Sequence, residues 1–139
     1  MDKNRTFTVA EMKYFKMYYS RLTKEEKIQV GKLISAGQLE IVTGAWVIND
    51  EACPNYEDII MNMYIGHSFI KKEFGVIPRN GWMLDAFGHS AANAALFADF
   101  GFDAVFFSRV GDTQRDKWKD EKGNTFLWRP LSKNLGKQK

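Results

Sequence analysis

The sequence contains one cysteine, two histidines and three prolines among 139 residues. Because Cys53 is alone, no disulfide can form within the chain. Three residues of the Cys and His type are also too few for a self-contained structural zinc site. We therefore expect the fold to depend on an apolar core, for which 45% hydrophobic and 14% aromatic residues are sufficient.

The sequence also lacks a long hydrophobic run and a strong excess of either charge. No stretch approaches the length of a membrane span, and residues 1–6 lack the apolar centre of a secretory signal. The 20 basic and 17 acidic residues are interspersed and leave a formal charge of +3. This pattern predicts an ordinary solvated surface, with neither a nucleic acid nor a membrane as partner. Residues 131–139 are basic with few apolar side chains and are predicted to be disordered.

Apolar periodicity predicts strands that alternate with helices along the chain. The predicted strands cover residues 7–9, 39–42, 44–48, 82–85, 104–108 and 125–128. Four helices are predicted. Two of them begin at capping-box patterns, at Thr8 and at Thr23, and the other two cover residues 56–74 and 91–100. This alternation predicts an α/β fold with a parallel sheet, whose strand exits share one edge. The charged residues expected at that edge are Asp50, Glu51, Asp85, Arg109 and Arg129.

The most informative stretch is residues 81–90. Its apolar residues 82–84 predict a short strand buried on both faces, which stops at Asp85. Gly88 then permits a tight turn, and Ser90 is suited to cap the next helix. The carboxyl end of a strand is where α/β folds collect catalytic groups. An aspartate at a strand end is also a common capping residue, so its position alone leaves both interpretations open.

This stretch, Gly-Trp-Met-Leu-Asp-Ala-Phe-Gly-His-Ser, resembles the nucleophile segment of the α-mannosidases of glycoside hydrolase family 38. The family form is Gly-Trp, two variable residues and Asp-Pro-Phe-Gly-His-Ser, so Ala86 stands where proline is usual. Further segments resemble the family in the same order, at residues 37–40, 44–47, 49–52, 74–79, 101–104 and 106–109. The resemblance implies that residues 1–130 are part of the family's N-terminal catalytic domain. The implied fold is a partial α/β barrel-like domain with parallel strands and crossover helices.

The resemblance also implies a reaction, the zinc-dependent retaining hydrolysis of terminal α-mannose residues in glycans. Asp85 would be both the catalytic nucleophile and a zinc ligand, and Arg109 would orient or stabilise that nucleophile. Phe87 would bind the substrate as an aromatic residue beside the sugar. Two segments, residues 49–52 and 116–118, are closer to the lysosomal type and suggest a lysosome or vacuole.

Four other polar residues receive lesser roles. Asp50 and Glu51 are predicted to support the structure around the site. His89 is predicted to stabilise the turn as a hydrogen-bond donor, and His67 to be a satisfied histidine of the core.

The chain departs from the family pattern in its other zinc ligands. The family uses a His-x-Asp segment upstream and a histidine far downstream, but no histidine precedes His67 or follows His89. The family's general acid also falls outside the sequence. We therefore expect an internal fragment of the catalytic domain that lacks the remaining zinc ligands and is inactive alone. Unpaired strand edges would favour self-association.

Two other interpretations remain open at this point. A non-catalytic or vestigial sugar-binding relative would have kept the fold and lost the site. A different barrel-type carbohydrate hydrolase or deacetylase would share only an aspartate at a strand end, and the motif at residues 82–90 argues against it.

Overall fold

The computed structural model describes residues 4–113 and, for its backbone, the strand Phe126–Trp128. Arg129 and the predicted tail at residues 131–139 lie outside the described residues. In chain order the elements are β1 (Phe7–Val9), α1 (Met12–Tyr19), α2 (Lys24–Ser35), β2 (Leu39–Ile41), α3 (Tyr56–Phe74), β3 (Asn80–Met83), α4 (Ala91–Asp99), β4 (Ala104–Phe107) and β5 (Phe126–Trp128). The long helix α3 has the predicted bounds.

The chain divides into two compact units. The first contains the residues up to Ile48 together with Ile60–Pro78, and the second contains Asn49–Ile59 and the residues from Arg79 onward. No helix within the described residues is long and apolar enough to cross a membrane.

In the first unit, β1 and β2 pair in parallel, with Phe7 opposite Leu39 and Val9 opposite Ile41. The core beside them is formed by buried side chains of α1, α2, β2 and α3. These are Met12, Phe15, Tyr19, Val30, Ile41 and Ile70. The three from α1 recur at steps of three and four residues, which places them on one face of that helix.

The two predicted capping boxes have different outcomes. Thr23 caps α2 as predicted, because its Oγ1 accepts the Glu26 N–H at 3.3 Å while its own N–H donates to Glu26 Oε2 at 2.8 Å. The prediction at Thr8 is wrong, since Thr8 lies in the middle of β1, opposite Glu40 of β2, and no helix starts there. Helix α1 instead follows Glu11, whose carboxylate accepts the Ile48 N–H at 3.1 Å.

The strand predicted at residues 44–48 is absent from the described structure. Thr43 and Gly44 have φ angles of 53° and 70°, which turn the backbone out of the extended conformation directly after β2. The turn lies against α3 at Gly66, where an added Cβ would collide with the Gly44 carbonyl oxygen and with backbone atoms of Ala45 and Trp46. Residues 44–46 therefore pack closely against the backbone of α3 at Gly66 and do not form a strand.

In the second unit, β3 and β4 pair in parallel, with Asn80 opposite Ala104 and Met83 opposite Phe107. Strand β5 pairs antiparallel with β4, so the prediction of a wholly parallel sheet is wrong for this strand. An antiparallel neighbour needs no crossover helix.

The sequence predicts that strand β3 is buried on both faces, but the structure buries it fully on one face only. Gly81 and Met83 are buried, whereas Asn80 and Trp82 are half-buried. Helix α4 covers the buried face through Phe97, which is fully buried and would lie 3.2 Å from a Cβ added at Gly81. Ser90 caps this helix as predicted, accepting the Asn93 N–H at 3.0 Å.

The described structure is therefore a mixed α/β fold with parallel strands in each unit. Its strands form one two-stranded and one three-stranded sheet, and over the described ranges they do not show a barrel.

Candidate active site

Asp85 and Arg109 meet beyond the carboxyl ends of β3 and β4. Nε and Nη2 of Arg109 both donate to Oδ1 of Asp85, at 3.1 and 2.5 Å. The Asp85 side chain is 78% exposed and the Arg109 side chain is 50% exposed. The carboxylate is therefore open to an incoming molecule while a fixed cation holds one of its oxygens. Strand β3 ends at Met83, so Asp85 lies in the turn after the strand and not in its last position.

Phe87 lies against the same arginine. The guanidinium carbon of Arg109 is 4.4 Å from the centroid of the Phe87 ring, and Phe87 is 70% exposed. A guanidinium over an aromatic face is attracted by the ring quadrupole, and its planar group is restrained by stacking. The structure thus brings together the three residues singled out from the sequence, and one face of the predicted sugar-binding ring is in contact with Arg109.

His89 and Glu51 hold the backbone around this group. His89 Nδ1 lies 3.2 Å from Glu51 Oε1, and His89 Nε2 lies 3.0 Å from the Arg109 carbonyl oxygen. The Ser90 N–H donates to Glu51 Oε2 at 2.5 Å. The prediction that His89 stabilises the turn agrees with this geometry, but the contact with Arg109 could not be read from the sequence.

Ser108 and Asp50 have local roles. Ser108 Oγ donates to the Leu84 carbonyl oxygen at 2.8 Å, which ties the turn after β3 to the exit of β4. Sequence reasoning missed this contact, although the position of Ser108 directly before Arg109 was a usable signal. Asp50 Oδ1 accepts the Ala52 N–H at 3.3 Å within its own turn, and so serves the structure of that loop.

A cavity of about 810 Å³ lies beside these residues, within the range of small-molecule sites. Its lining includes the polar residues Glu51, His89 and Arg109 and the aromatic residues Phe87 and Phe97. Asp85 is not among the lining residues. The cavity is thus bounded by the groups that hold Asp85 in place rather than by the carboxylate itself.

His67 belongs to a different part of the structure, as predicted. Its Nε2 lies 2.8 Å from the Thr43 carbonyl oxygen on the half-buried side of α3, so the core histidine is satisfied. Burial lowers the pKa of its imidazole, and the hydrogen bond to Thr43 opposes that effect only in part. Cys53 is exposed and forms no disulfide.

The described groups near Asp85 include ligand types that zinc accepts, but they are too few to hold a zinc ion. A carboxylate oxygen is an ordinary zinc ligand, and zinc sites draw on about three or four protein ligands. Within the described ranges, no three His, Cys, Asp or Glu side chains come close enough to hold a metal ion. Glu51 and His89 are engaged with each other. The residues described do not by themselves form a zinc site.

Comparison with known proteins defines the class to which this fold and site belong. Residues 1–134 match the model of the glycosyl hydrolases family 38 N-terminal domain. The chain belongs to glycosyl hydrolase family 38. It is similar to an α-mannosidase of Arabidopsis thaliana, with 44% identity over 97% of this chain and 13% of that protein.

Two further relatives support the same family. An α-mannosidase of Canavalia ensiformis is 43% identical over 97% of this chain and 14% of its own length. A lysosomal α-mannosidase of Cavia porcellus is 37% identical over 92% of this chain and 13% of its own length. The chain therefore spans only about an eighth of the length of the curated relatives it matches.

A solved structure is similar in fold. The 4-α-glucanotransferase of Thermococcus litoralis matches with a TM-score of 0.63 over 95% of this chain and 22% of that one. Its sequence is 15% identical, so this likeness describes the fold alone.

Proposed function

We propose that this chain contributes the nucleophile and its positioning groups to an α-mannosidase that hydrolyses terminal α-mannose residues of glycans. The observation that carries the proposal is the exposed Asp85 carboxylate held by Arg109 at the exit of two parallel strands. Family membership and the names of the relatives supply the substrate class. The family resemblance further favours a barrel-like domain around these strands.

The proposed reaction retains the configuration of the sugar. Asp85 attacks the anomeric carbon, and a carbon–oxygen bond to the enzyme forms as the glycosidic bond breaks. The leaving oxygen takes its proton from a general acid that lies beyond the described residues. Water then displaces the carboxylate, gives its proton to the residue that served as the general acid, and releases mannose. Both Arg109 contacts use Oδ1, so we assign the attack to Oδ2.

Arg109 and Phe87 would act on the nucleophile and on the sugar. A guanidinium at Oδ1 favours the ionised carboxylate that attack requires and fixes its direction. The exposed face of Phe87 offers an apolar surface suited to the C–H side of a hexose. Both residues line the cavity, and we place the bound sugar at the edge of that cavity, where Asp85 can reach it.

Zinc is the proposed cofactor, and Asp85 would supply one of its ligands. Bound zinc would hold sugar hydroxyls as a Lewis acid. The remaining ligands would come from beyond the described residues. Two relatives are lysosomal α-mannosidases, and we propose a lysosome or vacuole as the location.

The test is Asp85→Ala in the whole protein that carries this chain, with an aryl α-mannoside as substrate. We expect turnover to be lost while the far-ultraviolet circular dichroism stays unchanged. Asp103→Ala is the matched control, because Asp103 is also an exposed aspartate paired with an arginine, Arg79. Normal turnover in the Asp85 variant would refute the assignment. NMR can identify which anomer of mannose is released first. Initial release of the β-anomer would refute retention.

A further inference from the structure

One group near the site has no part in the reaction proposed above, the pair formed by His89 and Glu51. The Glu51 side chain is only 5% exposed and the His89 side chain is 28% exposed. The imidazole also packs against the Phe107 ring, with centroids 4.8 Å apart. A carboxylate this deeply buried needs compensating hydrogen bonds or charge, or it would destabilise the fold.

The two hydrogen-bond partners of His89 indicate which of its ring nitrogens carry a proton. Nδ1 faces the Glu51 carboxylate, and Nε2 faces the Arg109 carbonyl oxygen. Both partners are acceptors, whereas a neutral imidazole has a single N–H. A neutral ring would therefore set a lone pair against an acceptor at one nitrogen. With Glu51 as a carboxylate, both contacts are satisfied together only when His89 carries a proton on each nitrogen.

We infer that His89 is a positioning residue, which holds Arg109 on Asp85 as an imidazolium paired with the Glu51 carboxylate. This inference rests on the proposed function, because it assigns the purpose of the contact to the proposed nucleophile. The charged group that faces the ring is Glu51, while Arg109 turns its guanidinium to Asp85. Ser90 contributes an N–H to the second oxygen of Glu51.

The arginine is restrained at three points. His89 holds its carbonyl oxygen, Asp85 accepts from its guanidinium, and Phe87 lies under its guanidinium plane. Removal of a ring proton would release either the Arg109 backbone or Glu51. Because displacement of a catalytic group by about 1 Å can cost about a hundredfold in rate, this loss would reduce turnover without a change in the substrate contacts.

The first test uses NMR on the chain itself, through the ¹⁵N signals of the imidazoles. The sequence has only two histidines, so each can be assigned with a single His→Gln variant. In the folded chain we expect both ring nitrogens of His89 to carry a proton, as their two acceptors require, and His67 to carry a single proton, on Nε2, facing Thr43. A single neutral tautomer at His89 would overturn the inference.

Glu51→Gln tests the cause. The variant retains the shape of the side chain but removes the negative charge, so His89 should lose its second ring proton at the same pH. Retention of both protons would show that Glu51 is not responsible, and would overturn the pairing.

The second test is kinetic and uses the whole protein. We expect His89→Gln to lower kcat by at least about tenfold with a much smaller change in KM. His67→Gln is the matched control and should leave both constants unchanged. Normal kcat in His89→Gln, with Asp85→Ala inactive, would overturn this inference alone. Normal turnover in Asp85→Ala would instead overturn the proposed function.

Discussion

Asp85 and Arg109 are separated by 24 residues, the same offset that relates the paired residues of β3 and β4. Arg79 and Asp103, just before those strands, are also 24 residues apart and form a second exposed pair, with Arg79 Nη2 2.6 Å from Asp103 Oδ1. The register of one parallel ladder therefore places an ion pair at each of its ends, with the charges exchanged. Among the residues that the structure describes, only the pair at the carboxyl ends also has an aromatic ring against its guanidinium.

The first prediction compares the two arginines. In the whole protein, Arg109→Gln should lower kcat/KM by about tenfold to a hundredfold, because the Asp85 carboxylate would lose the group that fixes its direction, and misplacement of a catalytic group by about 1 Å can cost about a hundredfold in rate. Arg79→Gln removes a similar pair at the other end of the strands and should leave kcat/KM unchanged. Steady-state kinetics with an aryl α-mannoside measures both. Equal effects would show that the pairs matter only for folding.

The second prediction is that Arg109→Gln has little effect on stability. Both side chains of its ion pair are at least half exposed, and exposed pairs contribute at most about 1 kcal/mol. Urea unfolding of the chain should therefore show a loss of less than about 1 kcal/mol. A much larger loss would mean that the arginine holds the fold rather than the nucleophile.

The third prediction concerns two helical glycines in the first unit. Gly66→Ala should destabilise the chain by about 3 kcal/mol, because the added Cβ would meet backbone atoms that cannot turn away. Gly31→Ala is the matched control in α2, where an added Cβ meets nothing within 4 Å. That change should stabilise by about 0.5–1 kcal/mol through helix propensity. Thermal and urea unfolding measure both changes, and a tolerated Gly66→Ala would contradict the close approach.

The fourth prediction concerns the pH dependence of stability. Burial lowers the pKa of His67 in the folded chain, so the unfolded chain binds the proton more readily. Stability should fall as the pH drops below the ordinary histidine pKa of about 6.5 and should level off below the folded pKa. The test is urea unfolding over this range in the wild type and in His67→Gln. The difference between them isolates His67, and parallel curves would contradict the prediction.

The fifth prediction concerns zinc. Asp85 is the one carboxylate we assign to the metal, and among the residues that the structure describes, the donors around it do not complete a site. We therefore expect that neither EDTA nor added zinc shifts the thermal midpoint of this chain. Binding would be easy to detect, because a ligand at about 100 times its Kd stabilises a protein by about 2.7 kcal/mol. A clear zinc-dependent shift would show that ligands beyond the described residues reach Asp85.

Features set by neighbouring residues were predictable from the sequence. Thr23 and Ser90 cap their helices, and α3 has the expected bounds, because capping and apolar periodicity are local properties. The family motif located Asp85, and the expectation that strand exits meet at one edge placed Arg109 near it. The fold class was predictable to the level of strands alternating with helices.

Features set by distant contacts were not predictable. The turn at Thr43 and Gly44 depends on a helix that arrives more than twenty residues later, at Gly66. The antiparallel direction of β5 is a property of pairing, and the sequence of the strand does not encode it. The contact between Glu51 and His89 likewise could not be predicted, because it joins two loops whose residues are 38 positions apart in the sequence.

The hydrogen bond from Ser90 to Glu51 joins residues 39 positions apart. Loops of this length close late in folding, because their entropic cost precedes the contacts that offset it. A peptide limited to residues 80–113 would hold both Asp85 and Arg109 yet lack the carboxylate that anchors the turn between them. The alignment of the nucleophile thus depends on a distant segment of the chain, and the site is complete only when the loop that carries Glu51 lies against His89 and Ser90.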